Sequence, residues 1–340
     1  MNTFLKDIPK GENHYHFDSI PPELAWRFAQ RNHVDVPFSS LDEAREFYRF
    51  KTLEEFINVL LVPISTIRTS RDFEEIIVAC AEDMVKQNIV YREAMFDFTG
   101  CFAPQNITIE EMVSGLEKGV VEAKEKYNRD IRFIANIDRT ADVRDNCRYL
   151  EELALYKEKI PIVAVGLDMM EVGFPASRQK EAFKLARELG FYTTAHAGED
   201  AGPESIIDTL EGLEPDRLDH GIRAVEDPGL VRELADWTIL LTLCPDSNIS
   251  LSVYPSWEEF PIMKLLEAGV KVSINSDDPP CFRHDLTGNL IKIAETFSMS
   301  QDDMAEIVRN AFKWNFCGQE YVDTVNLWLE EDNYLNRISG

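Results

Sequence analysis

The sequence predicts an α/β protein folded as one (β/α)8 TIM barrel with a helical insertion after the first strand, and three observations carry that prediction. Eight short apolar or β-branched runs alternate with amphipathic stretches that open on helix-capping residues, the pattern of βα units and a parallel sheet. The 340 residues contain no low-complexity tract, no Gly/Ser-rich or Pro-rich linker and no short repeat, so residues 1–340 read as a single domain. Histidines and carboxylates gather at the ends of the first, fifth, sixth and eighth runs, as barrel enzymes require and a doubly wound open sheet would not.

The expected strands are Glu12 to Asp18, Ile89 to Phe96, Ile131 to Ile137, Ile162 to Asp168, Tyr192 to Ala197, Arg217 to Ile222, Ile239 to Cys244 and Lys271 to Ser276. About 70 residues separate the first run from the second, twice the usual unit, and that stretch carries helix starts at Ser40-x-x-Glu43 and Thr52-x-x-Glu55. Residues from about 20 to 85 are therefore expected to form helices over the barrel mouth. Helices of the outer ring are expected to open at Thr108-x-x-Glu111, Ser256-x-x-Glu259 and Ser300-x-x-Asp303.

Composition narrows the function. With 44% hydrophobic residues the chain can fill a large core. No apolar run approaches the roughly 20 residues of a membrane span, and MNTFLKDIPK lacks a signal-peptide core, so a cytoplasmic location is expected. The six cysteines are scattered without a C-x-x-C and read as reduced thiols. Thirty-five basic against 61 acidic residues leave a formal charge of −26, which would repel nucleic acid and anionic membranes; neither is expected as a partner.

The chemistry begins at Asn13-His14-Tyr15-His16-Phe17-Asp18, where two histidines two residues apart in a strand share a face and could hold one metal. Alone, H-x-H is a weak signal. His196 ends the fifth run and Glu199 follows three residues later, past a glycine, which is the spacing of a ligand and a nearby acid. His220 ends the sixth run, and the eighth leads directly into Asp277-Asp278-Pro279. An Asp-Pro turn would explain one of those aspartates, and a hydrogen-bonded structural histidine would explain His220. However, four of the six histidines end such runs and only His33 and His284 do not, so chance is a poor account.

Taken together, Pro9-Lys10 with His14-x-His16, His196-Ala197-Gly198-Glu199, His220-Gly221-Ile222, Cys244-Pro245-x-Ser247-Asn248 and Ser276-Asp277-Asp278-Pro279 resemble the adenosine and adenine deaminase family in order and spacing, from about residue 8 to about residue 310. The resemblance implies a zinc-dependent hydrolase that removes an exocyclic amino group from adenosine or a related aminopurine, a small-molecule substrate, and one Zn²⁺ per chain. It implies His14, His16, His196 and Asp277 as metal ligands, Glu199 as the acid that protonates purine N1, and His220 as the residue that orients the nucleophile. Asp278 would then bond N7 and Asp18 a ribose hydroxyl.

Three positions depart from the family pattern. The first motif continues Asp18-Ser19-Ile20 where acid-Gly-Ser is usual, and Met95 stands before Phe96 where an arginine is common. The fourth run leads into Met169-Met170-Glu171-Val172-Gly173, in which Glu171 and Gly173 are expected to line the base in place of the family's N3-donating glycine. Those departures leave adenine, an N6-substituted or modified adenine nucleoside, or another amino-heterocycle open as substrate. Metal-dependent hydrolysis of an amide, lactone or phosphoester is a second class, though no run ends in a lysine that could bridge two metals. A silent binding protein is a third, against which every expected catalytic position is filled.

Overall fold

Apolar strands joined by amphipathic helices bury both faces of their sheet when it closes on itself, lumen filled by side chains and outside covered by helices. In the computed structural model, which describes residues 1–50, 53–317 and 320–330, eight strands follow one another in sequence order. They are β1 Lys10–His16, β2 Ile89–Asp97, β3 Asp130–Asp138, β4 Ile162–Asp168, β5 Tyr192–Ala197, β6 Arg217–His220, β7 Leu240–Leu243 and β8 Lys271–Ile274. Each pairs in parallel with the next. The seam from β8 to β1 is closed by a bridge between Tyr15 and Asp277, where the His16 N–H donates to the Asp277 carbonyl at 2.8 Å. Side chains tighten the seam: Asn275 Oδ1 accepts the Asn13 N–H at 2.9 Å, and Glu12 accepts the Ser276 N–H at 3.0 Å. The chain is therefore a (β/α)8 TIM barrel.

The N-terminal end of the lumen is plugged. Met95, Ile134 and Ala164 cluster there with Phe316, and Arg217 of β6 reaches across to Glu93 of β2 at 2.5 Å while lying 4.2 Å over the Phe316 ring. Met95, which departs from the family pattern, is fully buried and packs in that cluster. Chemistry is left to the opposite, C-terminal end.

Around the barrel, Ser70–Gln87 packs on Ile109–Tyr127 as ring helices. Their contact depends on Gly115, where a Cβ would stand 2.1 Å from the Ser70 carbonyl oxygen. Between β1 and Ser70 lie the additional helices Pro22–Asn32, Leu41–Phe47 and Leu53–Ile64. Tyr48, Phe56 and Val59 from this stretch pack with Cys281, just past β8, and the Phe56 and Phe282 rings stack at 5.5 Å. No described helix is long and apolar enough to cross a membrane, and all six cysteines are free thiols.

Local signals fared unevenly. Thr108 with Glu111 and Ser300 with Asp303 form reciprocal capping boxes. Ser40 caps Leu41–Phe47, but the Glu43 carboxylate turns to the Ser39 N–H and hydroxyl, both at 2.7 Å. The expected start at Thr52 lies outside the described residues. Ser256-x-x-Glu259 opens no helix; Pro261 disfavours helical backbone at Phe260, and the helix begins instead at Ile262.

Candidate functional site

Strand alternation turns His14 and His16 of β1, His196 of β5 and the residue just past β8, Asp277, toward the same end of the lumen. Their ligand atoms lie within 4.8 Å of one another. His14 Nε2 stands 3.1 Å from Asp277 Oδ1, and His16 Nε2 faces His196 Nε2 at 3.4 Å. Backbone geometry helps: His220 (φ 57°) and Asp277 (φ 64°) adopt the left-handed conformation, which costs a non-glycine residue roughly 1–2 kcal/mol. Such strain is retained where the surrounding structure dictates a side-chain direction.

The outer nitrogens set the tautomers. His196 Nδ1 is 3.0 Å from the Leu167 carbonyl oxygen, an acceptor, so Nδ1 carries the proton and Nε2 keeps its lone pair. His14 Nδ1 sits 3.0 Å from Thr242 Oγ1, whose hydroxyl donates to Asp219 Oδ1 at 2.9 Å. Thr242 therefore accepts from His14 Nδ1–H, and His14 Nε2 is left buried without a hydrogen-bond partner. Burial holds His14 and His196 below the usual imidazole range, hence neutral, as metal ligation needs. Burial would lower His16 too, but Asp278, Asp18 and Asp277 outweigh it and raise its pKa well above normal. Asp277 is held well below its usual value: His14, His220 and His16 overcome the upward push of burial. The orphaned Nε2, the opposed ring nitrogens and this carboxylate-rich field form a locus for positive charge that suits a divalent ion.

Glu199 stands beside this cluster. His220 Nε2 lies 3.5 Å from Glu199 Oε2, and the Asn248 amide is 3.4 Å from His220 Nδ1. Burial first, then Asp277, Glu171 and Asp200, opposed by His220, raise the Glu199 pKa to about 7. Asp278 is also driven well above the carboxylate range, chiefly by burial.

Three of the expected substrate contacts sit differently. Both Glu171 oxygens are taken: Oε1 accepts the N–H groups of Glu199 (2.8 Å) and Asp200 (3.1 Å), while Oε2 accepts the Gly198 N–H (2.8 Å) and the Ser205 hydroxyl. It ties down the turn that carries Glu199. Gly198 is itself required there, since at φ 69° a Cβ would meet Ile206 at 2.4 Å. Gly173 (φ 84°) is exposed, with no atom within 4 Å of where a Cβ would stand, and the structure does not bring it to the cluster. Asp18 Oδ2 accepts the Asp97 N–H at 3.1 Å and Oδ1 lies 3.6 Å from His16 Nδ1, so it braces the histidine cluster. The remaining histidines are structural: His33 caps Pro22–Asn32 in the left-handed conformation, and His284 pairs with Asp246 at 3.2 Å.

Sequence reading missed the support beneath the ligands. Asp219 gathers the hydroxyls of Thr194 (2.7 Å) and Thr242 (2.9 Å), and Arg139 donates to the Asp168 and His196 carbonyls. Asp219 and His220 are adjacent in sequence, and period-two alternation would have marked Asp219 and Arg217 as a lumen-facing pair. Asp97 and Asp168 end apolar strands just as Asp277 follows one, a signal that sequence reading could have used.

A family model described as adenosine deaminase matches residues 9–325 of the chain. The adenine deaminase of Hahella chejuensis is 34% identical over 336 residues, covering 98% of this chain and 99% of that protein. That of Psychrobacter cryohalolentis is 32% identical over 343 residues, covering 99% and 98%. Among solved structures, the adenine deaminase of Arthrobacter aurescens superposes with a TM-score of 0.89 at 28% identity, covering 95% of this chain and 99% of that one. With the ligand cluster, Glu199 and His220 all at barrel-strand ends and similarity running along almost the whole length, the chain belongs to the adenosine deaminase family.

Proposed function

We propose that this protein hydrolyses free adenine to hypoxanthine and ammonia, at a single Zn²⁺ held by His14, His16, His196 and Asp277. The observation that carries the reading is the placement of Glu199 and His220, 3.5 Å apart, beside a four-ligand cluster in a chain whose full-length relatives are named adenine deaminases. Three imidazoles and one carboxylate suit a borderline cation, which would displace the proton that the neighbouring carboxylates hold on His16. A zinc ion bound there would supply hydroxide near neutral pH by lowering the pKa of water to about 7.

The protein's own groups divide the rest of the work. Glu199, a carboxyl kept protonated to about pH 7, gives its proton to ring N1, which makes C6 electrophilic. It then carries the nucleophile's proton to the departing nitrogen as the C6–N bond breaks and ammonia leaves. His220, held by Asn248 at Nδ1, presents Nε2–H to the attacking oxygen and to Glu199. Asp278, its pKa raised by burial, can donate from its protonated form to N7. Asp18 favours the free base over the nucleoside, because its oxygens face the Asp97 N–H and His16, which leaves little of it for a ribose hydroxyl.

The test is ammonia release from adenine, adenosine, deoxyadenosine and N6-methyladenine by the purified, zinc-loaded protein. Adenine is expected to have the highest kcat/KM by at least about tenfold, roughly 1.4 kcal/mol of transition-state discrimination. A preference for adenosine would overturn the substrate assignment.

A further inference from the structure

The wall of the lumen formed by β2 to β4 carries chemistry that the deamination step does not use. On β2, Glu93 meets Arg217 of β6 across the lumen, so Met95 and Asp97, two and four residues on, face inward as well. On β4, Ala164 shares the lumen plug with Met95 and Ile134, so Gly166 and Asp168 face inward. Two carboxylates therefore stand at the mouth end of this wall.

Each is only half satisfied. Asp97 Oδ1 accepts from the Thr99 hydroxyl (2.9 Å) and the Gly100 N–H (3.0 Å), and Asp168 Oδ2 accepts from the Asn136 amide (2.9 Å). Asp97 Oδ2 and Asp168 Oδ1 have no partner, although the residues are only 1% and 8% exposed. A buried carboxylate oxygen left unpaired is costly, so each calls for a donor from outside the chain, an ordered water or a ligand. Burial pushes Asp97 up to about 6 and Asp168 well above its normal range, with Asp97 adding to the push on Asp168, so a donor from outside would relieve both.

We propose that Asp97 and Asp168 form a specificity subsite that accepts the ring N–H on the edge of the base remote from the amino group, the N–H that a free purine carries and a 9-substituted purine lacks. The proposal rests on the reading of the protein as a deaminase of the free base, and gives that preference a structural cause. With C6 at the metal cluster, N1 toward Glu199 on the β5 side and N7 toward Asp278 on the β8 side, the edge bearing N3 and N9 is directed away from β5 and β8. In the order of the barrel, the wall it faces is that of β2 to β4. Replacing N9–H by N9–C there removes a hydrogen bond and leaves a buried carboxylate oxygen unpaired, a form of rejection stronger than simple loss of contact.

The test compares adenine with 9-methyladenine in turnover, and hypoxanthine with 9-methylhypoxanthine in equilibrium binding, for the zinc-loaded wild type and for Asp97→Asn and Asp168→Asn. Wild type is expected to favour the unsubstituted member of each pair by at least about tenfold. Each variant should shrink that ratio by about tenfold, through KM and Kd with kcat on adenine within a few fold, while metal content and melting temperature stay near wild type. Equal handling of the methylated and unmethylated compounds by the wild type would overturn the subsite without any variant being needed. So would ratios unchanged in both variants. A wild type that turns over adenosine but not adenine would overturn the substrate reading itself, and the subsite with it.

Discussion

Replacing Glu171 should disable the protein without touching substrate or metal. Its two oxygens accept four hydrogen bonds, three from consecutive backbone N–H groups of the turn that carries Glu199 and one from Ser205. In Glu171→Ala the buried Gly198 N–H loses its partner outright, at about 1–3 kcal/mol, while the Glu199 and Asp200 N–H groups, nearer solvent, lose about 1 kcal/mol each. A net loss of about 3–5 kcal/mol follows, measurable by urea denaturation of the zinc-loaded protein. Glu171→Gln keeps one accepting oxygen but turns an amide toward N–H donors, and should cost about 1.5–3 kcal/mol. A shift of Glu199 by about 1 Å should cost about 10²-fold in kcat, with zinc content unchanged because His196 is oriented independently by Leu167. Acid should have a related effect. Burial would raise the Glu171 pKa, but Ser205, Arg139 and the turn's N–H groups hold it below 4.5, so its stabilisation is present above that pH and is lost as pH falls through the lowered value. A Glu171→Ala protein of wild-type stability whose only defect was a raised KM would refute this reasoning and make Glu171 a substrate contact.

Two further outcomes follow from the same geometry. Glu199→Gln should lower kcat by at least about 10²-fold with zinc content unchanged, and because the protonated form is the donor, wild-type activity should fall as pH rises through about 7; near-normal turnover in the variant would remove the proton-shuttle role. Thr242→Val takes away the acceptor of His14 Nδ1–H, so zinc affinity in a competitive chelator titration should drop about 10- to 100-fold and be restored in Thr242→Ser; unchanged affinity in the valine variant would show that the link from His14 to Asp219 does not tune the ligand.

The barrel was legible because its eight strands are short and buried and most are rich in apolar or β-branched residues, and burial on both faces leaves little room for another period. Their ends were less so. β1 stops at His16 and β6 at His220, where pairing gives way to the turns that carry Asp18 and Gly221, and nothing in an apolar run announces its last ladder bond. The candidate ligands were readable because histidines at strand ends are conspicuous in a chain with six. The bracing role of Glu171 was not, because sequence gives a carboxylate's neighbourhood but not the direction of its oxygens. Asp219, Thr242 and Arg139 act through contacts between strands or loops far apart in sequence, such as Arg139 to the His196 carbonyl, and no local pattern encodes those. Asp97 and Asp168 were readable in principle, since each ends an apolar strand in a carboxylate.

The central claim, one catalytic metal in the cluster of His14, His16, His196 and Asp277, is tested most directly by adding zinc to chelator-stripped protein while recording bound metal and ammonia release from adenine together. Activity should rise linearly and break at about one equivalent per chain, and a His14→Ala, His16→Ala double variant should neither bind that equivalent nor recover activity. A break at two equivalents, full activity in the stripped protein, or undiminished zinc binding in the double variant would contradict the account.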